Sequence, residues 1–214
     1  MNDYTDQLHV IAEDAYTTLA NTFSVRENVM RLSRTIIQNS AKAIRCIHRR
    51  ELNTALELLQ TAKDNLFEAS SVLTDHPEVY YSGFLEDAQK EYVEANATFA
   101  FVSGGSLPDP NDLQVTKPAY LNGLAESIGE LRRYILDSLR RNDLSQCEPL
   151  LSTMDEIYSI LVTMDFPDSV TRGLRRNTDA MRAVLERTRA DLTTALRQQS
   201  LEHRLSDLGK KGIT

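Results

Sequence analysis

Between Ser24 and His76 the chain contains neither glycine nor proline, and elsewhere these residues cluster instead of scattering. Strands need turns every few residues, so stretches this long, rich in Ala, Leu, Arg, Glu and Gln, commit the chain to an all-α fold. Ser24-Val25-Arg26-Glu27 has the form of a capping box and predicts that a helix starts or restarts there. The apolar spacing slips around Arg50–Asn53, which predicts a helical hairpin turn at 50–53, with Asn53 capping a helix over Thr54–Val72. A third helix is expected from Glu78 to Phe101, ending at the loop 103–110. Pro118 suits the first turn of a helix to Arg141, a shorter helix covers Ser145–Met164, and Phe166-Pro167-Asp168 precedes a long last one. The result is an all-α single domain, 1–208, with 209–214 as a frayed tail and no internal repeat.

At 214 residues and 41% hydrophobic content, the core needs no disulfide or structural zinc. Cys46 and Cys147, without a Cys-x-x-Cys or Cys/His cluster, read as small buried hydrophobes of a reducing compartment. No apolar run spans a membrane and the first ten residues do not form a signal peptide, so a soluble cytoplasmic protein without a membrane partner is expected. The four histidines are separated from one another, and no P-loop, GxGxxG after a strand, or GxSxG occurs. Nucleotide-dependent and histidine-based enzymes are thereby excluded. Tyr80, Tyr81, Tyr92, Tyr120, Tyr134 and Tyr158 fit half-buried positions between helices better than base-stacking ones.

The net charge of -7 argues against nucleic acid, but it conceals a segregation. Residues 26–50 carry seven Lys or Arg against Glu27, whereas residues 1–25 carry four acids and neither Lys nor Arg. On a helix, Arg31, Arg34, Lys42, Arg45 and Arg49 fall within a wedge of about 80°, opposite Val29, Leu32, Ile36, Ala43 and Ile47. Such a stripe is either a solvated face or a track for the phosphates of a single strand. Asp87, Glu91 and Glu94 stand at i, i+4, i+7, and Glu126 and Glu130 at i, i+4, opposite an apolar face of Leu121, Leu124, Ile128, Leu131 and Ile135. Like charges so placed are either two solvated faces or the ligands of a hard divalent cation shared between helices.

The strings RENVMRLSRTIIQNSAKAIRCIHRRE, QKEYVEANATF, PAYLNGLAESIGELRRYILDSL and GLRRNTDAMRAVLERTRADL, in this order, resemble the translin family across nearly the whole chain. Glu91, Glu94, Glu126 and Glu130 make the resemblance closer to the translin-associated factor X branch and the single-component archaeal members than to translin itself. The family often has Asp where Glu126 stands. The resemblance implies an all-helical subunit, an antiparallel bundle of about seven helices, that assembles into a hollow, roughly octameric homo-oligomer enclosing single-stranded RNA or DNA. It also implies Mg²⁺-dependent endoribonuclease activity, with Mn²⁺ as an alternative ion. On this reading the four glutamates hold one or two ions and one of them serves as base, while the stripe, with Arg132 or Arg133, positions the strand. By periodicity the 126/130 face lies outside the subunit, so shelter for the metal is expected from the closed assembly. The alternatives are a barrel that binds without cutting and a helical scaffold.

Overall fold

The computed structural model describes residues 3–80 and 83–211, all of whose regular structure is helical. Six long helices and two single turns follow in order: α1 (Asp3–His48), α2 (Leu52–Leu73), α3 (Pro77–Tyr80), α4 (Phe84–Ser103), α5 (Lys117–Arg140), α6 (Cys147–Leu161), α7 (Asp168–Thr171) and α8 (Leu174–Lys211). α1 packs against α2 and α4, and α5 lies among α4, α6 and α8. A single apolar cluster built around Leu32, Ile36, Ile47, Leu66, Tyr92, Ile128, Leu131, Met154 and Leu192 joins them.

No helix starts at Ser24. α1 runs unbroken for 46 residues, because nothing in the segment interrupts the backbone ladder. What changes near Ser24 is burial: residues 4–21 are exposed throughout, whereas Val29, Leu32 and Ile36 are buried. The expected turn at 50–53 is tighter, with Arg50 at φ 64° and Glu51, not Asn53, at the N-cap. The expected third helix is two, α3 ending at Tyr80 and α4 starting after Gly83, whose φ of 89° suits the N-cap of α4. α5 begins as anticipated, with Pro118 in its first turn and the Thr116 hydroxyl accepting from Ala119 N–H. Asn142, at φ 56°, closes that helix, and the segment before α8 holds the extra turn α7. α8 continues through Gly209 and Lys210, placed beforehand in a frayed tail; residues 212–214 of that tail lie outside the described residues.

Cys46 and Cys147 are buried and unpaired. Tyr92, Tyr120 and Tyr134 are buried, with Tyr120 Oη donating to the Pro108 carbonyl, while Tyr81 and the Tyr80 side chain lie outside the described residues. Among the described residues no helix is long and apolar enough to cross a membrane.

One glycine sets the geometry on which the site depends. A Cβ on Gly123 would lie 2.5 Å from the Lys90 carbonyl oxygen and 2.7 Å from Val93 Cβ. Only glycine lets α5 approach α4 this closely, and Glu126 stands one turn further along α5, opposite the turn of α4 that carries Glu91 and Glu94.

Candidate metal and nucleic-acid site

Carboxylate oxygens of Glu91, Glu94 and Glu126 all lie within 4.8 Å of one another, and the three residues are half-buried. The i, i+3 step puts Glu91 and Glu94 on one face of α4, and the close contact at Gly123 brings Glu126 up to them. The extra methylene of Glu126 relative to Asp does not take its carboxylate out of the group.

Shelter for these acids comes from within one subunit. The α5 face bearing Glu126 and Glu130 turns toward α4 and the end of α1 and leaves their side chains only 29% and 23% exposed. Periodicity assigned that face to the outside because its neighbours, Ala119, Gly123 and Ser127, are too small to register as an apolar stripe, yet all three are buried.

Crowding three carboxylates away from water disfavours their charged forms. Burial, followed by the charges of Glu91, Glu126 and Glu130, pushes Glu94 up to about 8. Burial also raises Glu91, with Glu126, Asp87 and Glu130 adding to it and Lys90 opposing. Lys90 Nζ donates to Glu126 Oε1 at 3.0 Å. Burial alone would lower the Lys90 ammonium, but the hydrogen bond and charge of Glu126, helped by Glu91 and Asp87, outweigh it and hold it above its ordinary value. The donor set is all oxygen and carries excess negative charge, which fits a hard divalent cation.

Glu130 stands apart from the trio. Its Oε2 lies 2.5 Å from Nε2 of His48 at the end of α1 and 3.8 Å from the Arg133 guanidinium. His48 is 5% exposed, and its Nδ1 is buried without a partner. Spacing along the chain carries no sign of this pair, because His48 and Glu130 are 82 residues apart. Lys90 was missed for the same reason. The interior glycine in NGLAES was the one available signal, since a glycine inside a helix is unfavourable by about 1 kcal/mol unless close packing requires it.

Arg31, Arg34, Lys42, Arg45 and Arg49 are all exposed on one side of α1, with Val29, Leu32, Ile36, Ala43 and Ile47 buried on the other. Arg34 borders the same cavity as Lys90 and Asp87, which links one edge of the stripe to the carboxylates, and Arg31 leans toward Glu68 at 3.9 Å. Arg132 donates to Thr188 Oγ1 and to Asp191 on α8, whereas Arg133 is exposed beside Glu130.

Residues 24–189 match the model of the Translin family. An uncharacterised protein of Methanocaldococcus jannaschii is 32% identical over 189 residues, 87% of this chain and 83% of that one. Among solved structures, AfC3PO in complex with duplex RNA superposes with a TM-score of 0.82 at 34% identity, covering 87% of this chain and 97% of that one. The crystal structure of AfC3PO gives 0.81 at 33% with the same coverage. Apo-NeC3PO, at 18% identity over 91% and 98% of the two chains, shares the fold with a TM-score of 0.75.

Proposed function

Because the chain belongs to the translin family, we propose that it is a metal-dependent endoribonuclease that hydrolyses phosphodiester bonds of single-stranded RNA inside a hollow homo-octamer. The observation that carries this reading is the convergence of Glu91, Glu94 and Glu126 in a half-buried group that burial and mutual repulsion leave short of positive charge. RNA as the ligand draws on AfC3PO, whose structure is described with duplex RNA.

Glu91, Glu94 and Glu126 would hold Mg²⁺, or Mn²⁺ with the same oxygen preference, which would supply a Lewis acid for a phosphoryl oxygen and lower the pKa of a water. Glu94 would release its proton to solvent on becoming a ligand, and an ion held by Glu126 would free the Lys90 ammonium for a phosphate oxygen. His48 holds Glu130 Oε2, which leaves Oε1 as the oxygen that would accept the water's proton. Arg34, Lys42, Arg45 and Arg49 steer the strand by its phosphates, with Arg31 and Arg133 at the margins. The ends of α1 and α8 provide surface for assembly, since Leu8, Ile11, Leu19, Phe23, Leu201, Leu205 and Leu208 are all more than half exposed.

The test is cleavage of an unstructured 20-mer oligoribonucleotide and of its duplex, with Mg²⁺ and with chelator. Cleavage of the single strand should require the metal. Losing even an outer partner of a metal ligand costs about 10–100-fold, so Glu94→Gln should cost at least about 100-fold. One observation favours a second reading, a binder that does not cut: the Lys90 ammonium already neutralises Glu126 without a metal. Steeply salt-dependent RNA binding with no cleavage at any Mg²⁺ or Mn²⁺ concentration would decide for the binder.

A further inference from the structure

Next to the carboxylates, toward the start of α4, is a cavity of about 640 Å³, within the size range of small-ligand sites. Its apolar wall is Met30 and Ile37 of α1 with Phe84 of α4. Its polar lining includes Ser33, Arg34, Asp87 and Ser169.

Two features of this lining are unsatisfied. Ser33 is 3% exposed and lines the cavity, and its Oγ has no hydrogen-bond partner within the protein, so it is free to bond to a group entering the cavity. The first N–H groups of α4 open beside it, and the Gly83 N-cap has no side chain to accept from them. Arg34 and Asp87, both exposed, form no ion pair among the described residues and are free to meet a ligand, whereas the neighbouring Arg172 is paired with Glu86 at 3.4 Å.

A bare anion would use only part of this lining. A nucleotide uses all of it, with a phosphate for Arg34 and the α4 N–H groups, sugar hydroxyls that both donate and accept for Ser33 and Asp87, and a base for the apolar wall. The position agrees: Lys90 lines the cavity and touches Glu126, and Asp87 precedes Glu91 by about 6 Å along α4. We infer that this cavity is the subsite for the ribonucleotide next to the scissile phosphate, with Ser33 receiving its 2′-hydroxyl and Arg34 its phosphate. The word scissile rests on the nuclease reading; the recognition of a ribonucleotide does not.

The test titrates AMP, UMP and dAMP into the protein in chelator by ligand-observed NMR. AMP and UMP should bind in the millimolar range, and dAMP about fivefold more weakly, because the 2′-hydroxyl is lost. Ser33→Met and Ser169→Phe fill the cavity from opposite walls and should each weaken AMP by about tenfold, while Glu94→Gln changes it by less than about twofold. Ser169 is exposed, so its variant decides the matter if Ser33→Met does not fold. In cleavage, Ser33→Ala should raise KM by about fivefold with kcat within about twofold. Absence of AMP and UMP binding at 20 mM, or binding unchanged in both filled variants, overturns the subsite; equal affinity for AMP and dAMP overturns the role of Ser33. A wild type that cleaves nothing defeats the nuclease reading alone, because the AMP titrations still decide the cavity.

Discussion

The seam between α4 and α5 and the free ends of α1 and α8 are built from the same kinds of helix, but one is complete within a single chain and the other is not. At the seam, Gly123 brings two backbones together, Tyr92, Val93 and Ile128 are buried, and three carboxylates meet. At the ends, Tyr16, Leu19, Phe23 and Leu205 point into solvent at 59–75% exposure. The difference teaches that the site does not wait for assembly to be formed. On the proposed function, a shell of subunits would cover the helix ends and enclose RNA; it would not be what shelters the acids.

The largest effect should come from breaking the seam. An alanine inside a helix normally stabilises it relative to glycine, but at Gly123 the new Cβ meets the Lys90 carbonyl at 2.5 Å, and backbone must move. Gly123→Ala should therefore destabilise the protein by about 1–3 kcal/mol, and Gly123→Val by more. Both should abolish Mn²⁺ binding measured by electron paramagnetic resonance. An alanine variant with unchanged stability and Mn²⁺ binding would show that the seam does not organise the carboxylates.

At the helix ends the same reasoning gives the opposite pattern. Leu8→Glu combined with Leu19→Glu touches no buried residue, so helicity of the protomer should be kept, with each change costing within about 0.5 kcal/mol. The particle mass by light scattering should fall from an octamer to smaller species, while Mn²⁺ binding survives. Loss of Mn²⁺ binding on dissociation would mean that the two regions are not independent.

Legibility in the sequence divides along this line. That Glu91 and Glu94 share a face follows from a three-residue step, and the amphipathic spacing of α1 correctly separates its arginines from its buried side. Long uninterrupted segments likewise made the all-helical architecture readable. Pairings across the bundle were not readable: which acids converge depends on a glycine 33 residues from Lys90, and His48 meets Glu130 over 82 residues. Ser24–Glu27 misled because a capping box is a local pattern, whereas a helix boundary also needs the preceding chain to leave the helix, and nothing between Asp3 and Ser24 makes it do so.

A smaller effect separates the regions by pH. Glu94 is held near 8 in the fold and has an ordinary carboxylate value when unfolded, so between about pH 4.5 and 8 the native state binds the extra proton. Metal-free stability should fall as pH rises through that window and level off above it. Mg²⁺ should reverse the trend, because it replaces the proton, and its affinity should rise up to about pH 8. Glu94→Gln should flatten the slope of Tm against pH, and the Leu8/Leu19 variant should retain it. A wild type whose stability rises from pH 5 to 8 would contradict the burial of this carboxylate.

The smallest effect tests the stripe, the one feature that belongs to the surface and still borders the seam. Arg45 is exposed and forms no ion pair among the described residues, so Arg45→Gln removes charge without removing a structural contact. If the side chain meets a phosphate, RNA affinity should drop several-fold uniformly across sequences, and the slope of log K against log salt should become shallower by about 0.7 for a single strand. Arg132→Gln makes the contrasting control, because that guanidinium is held by Thr188 and Asp191 on α8. Its loss should lower Tm and leave the salt slope alone. A shallower slope for Arg132→Gln but not for Arg45→Gln would move the strand off α1 and onto the α5–α8 side of the bundle.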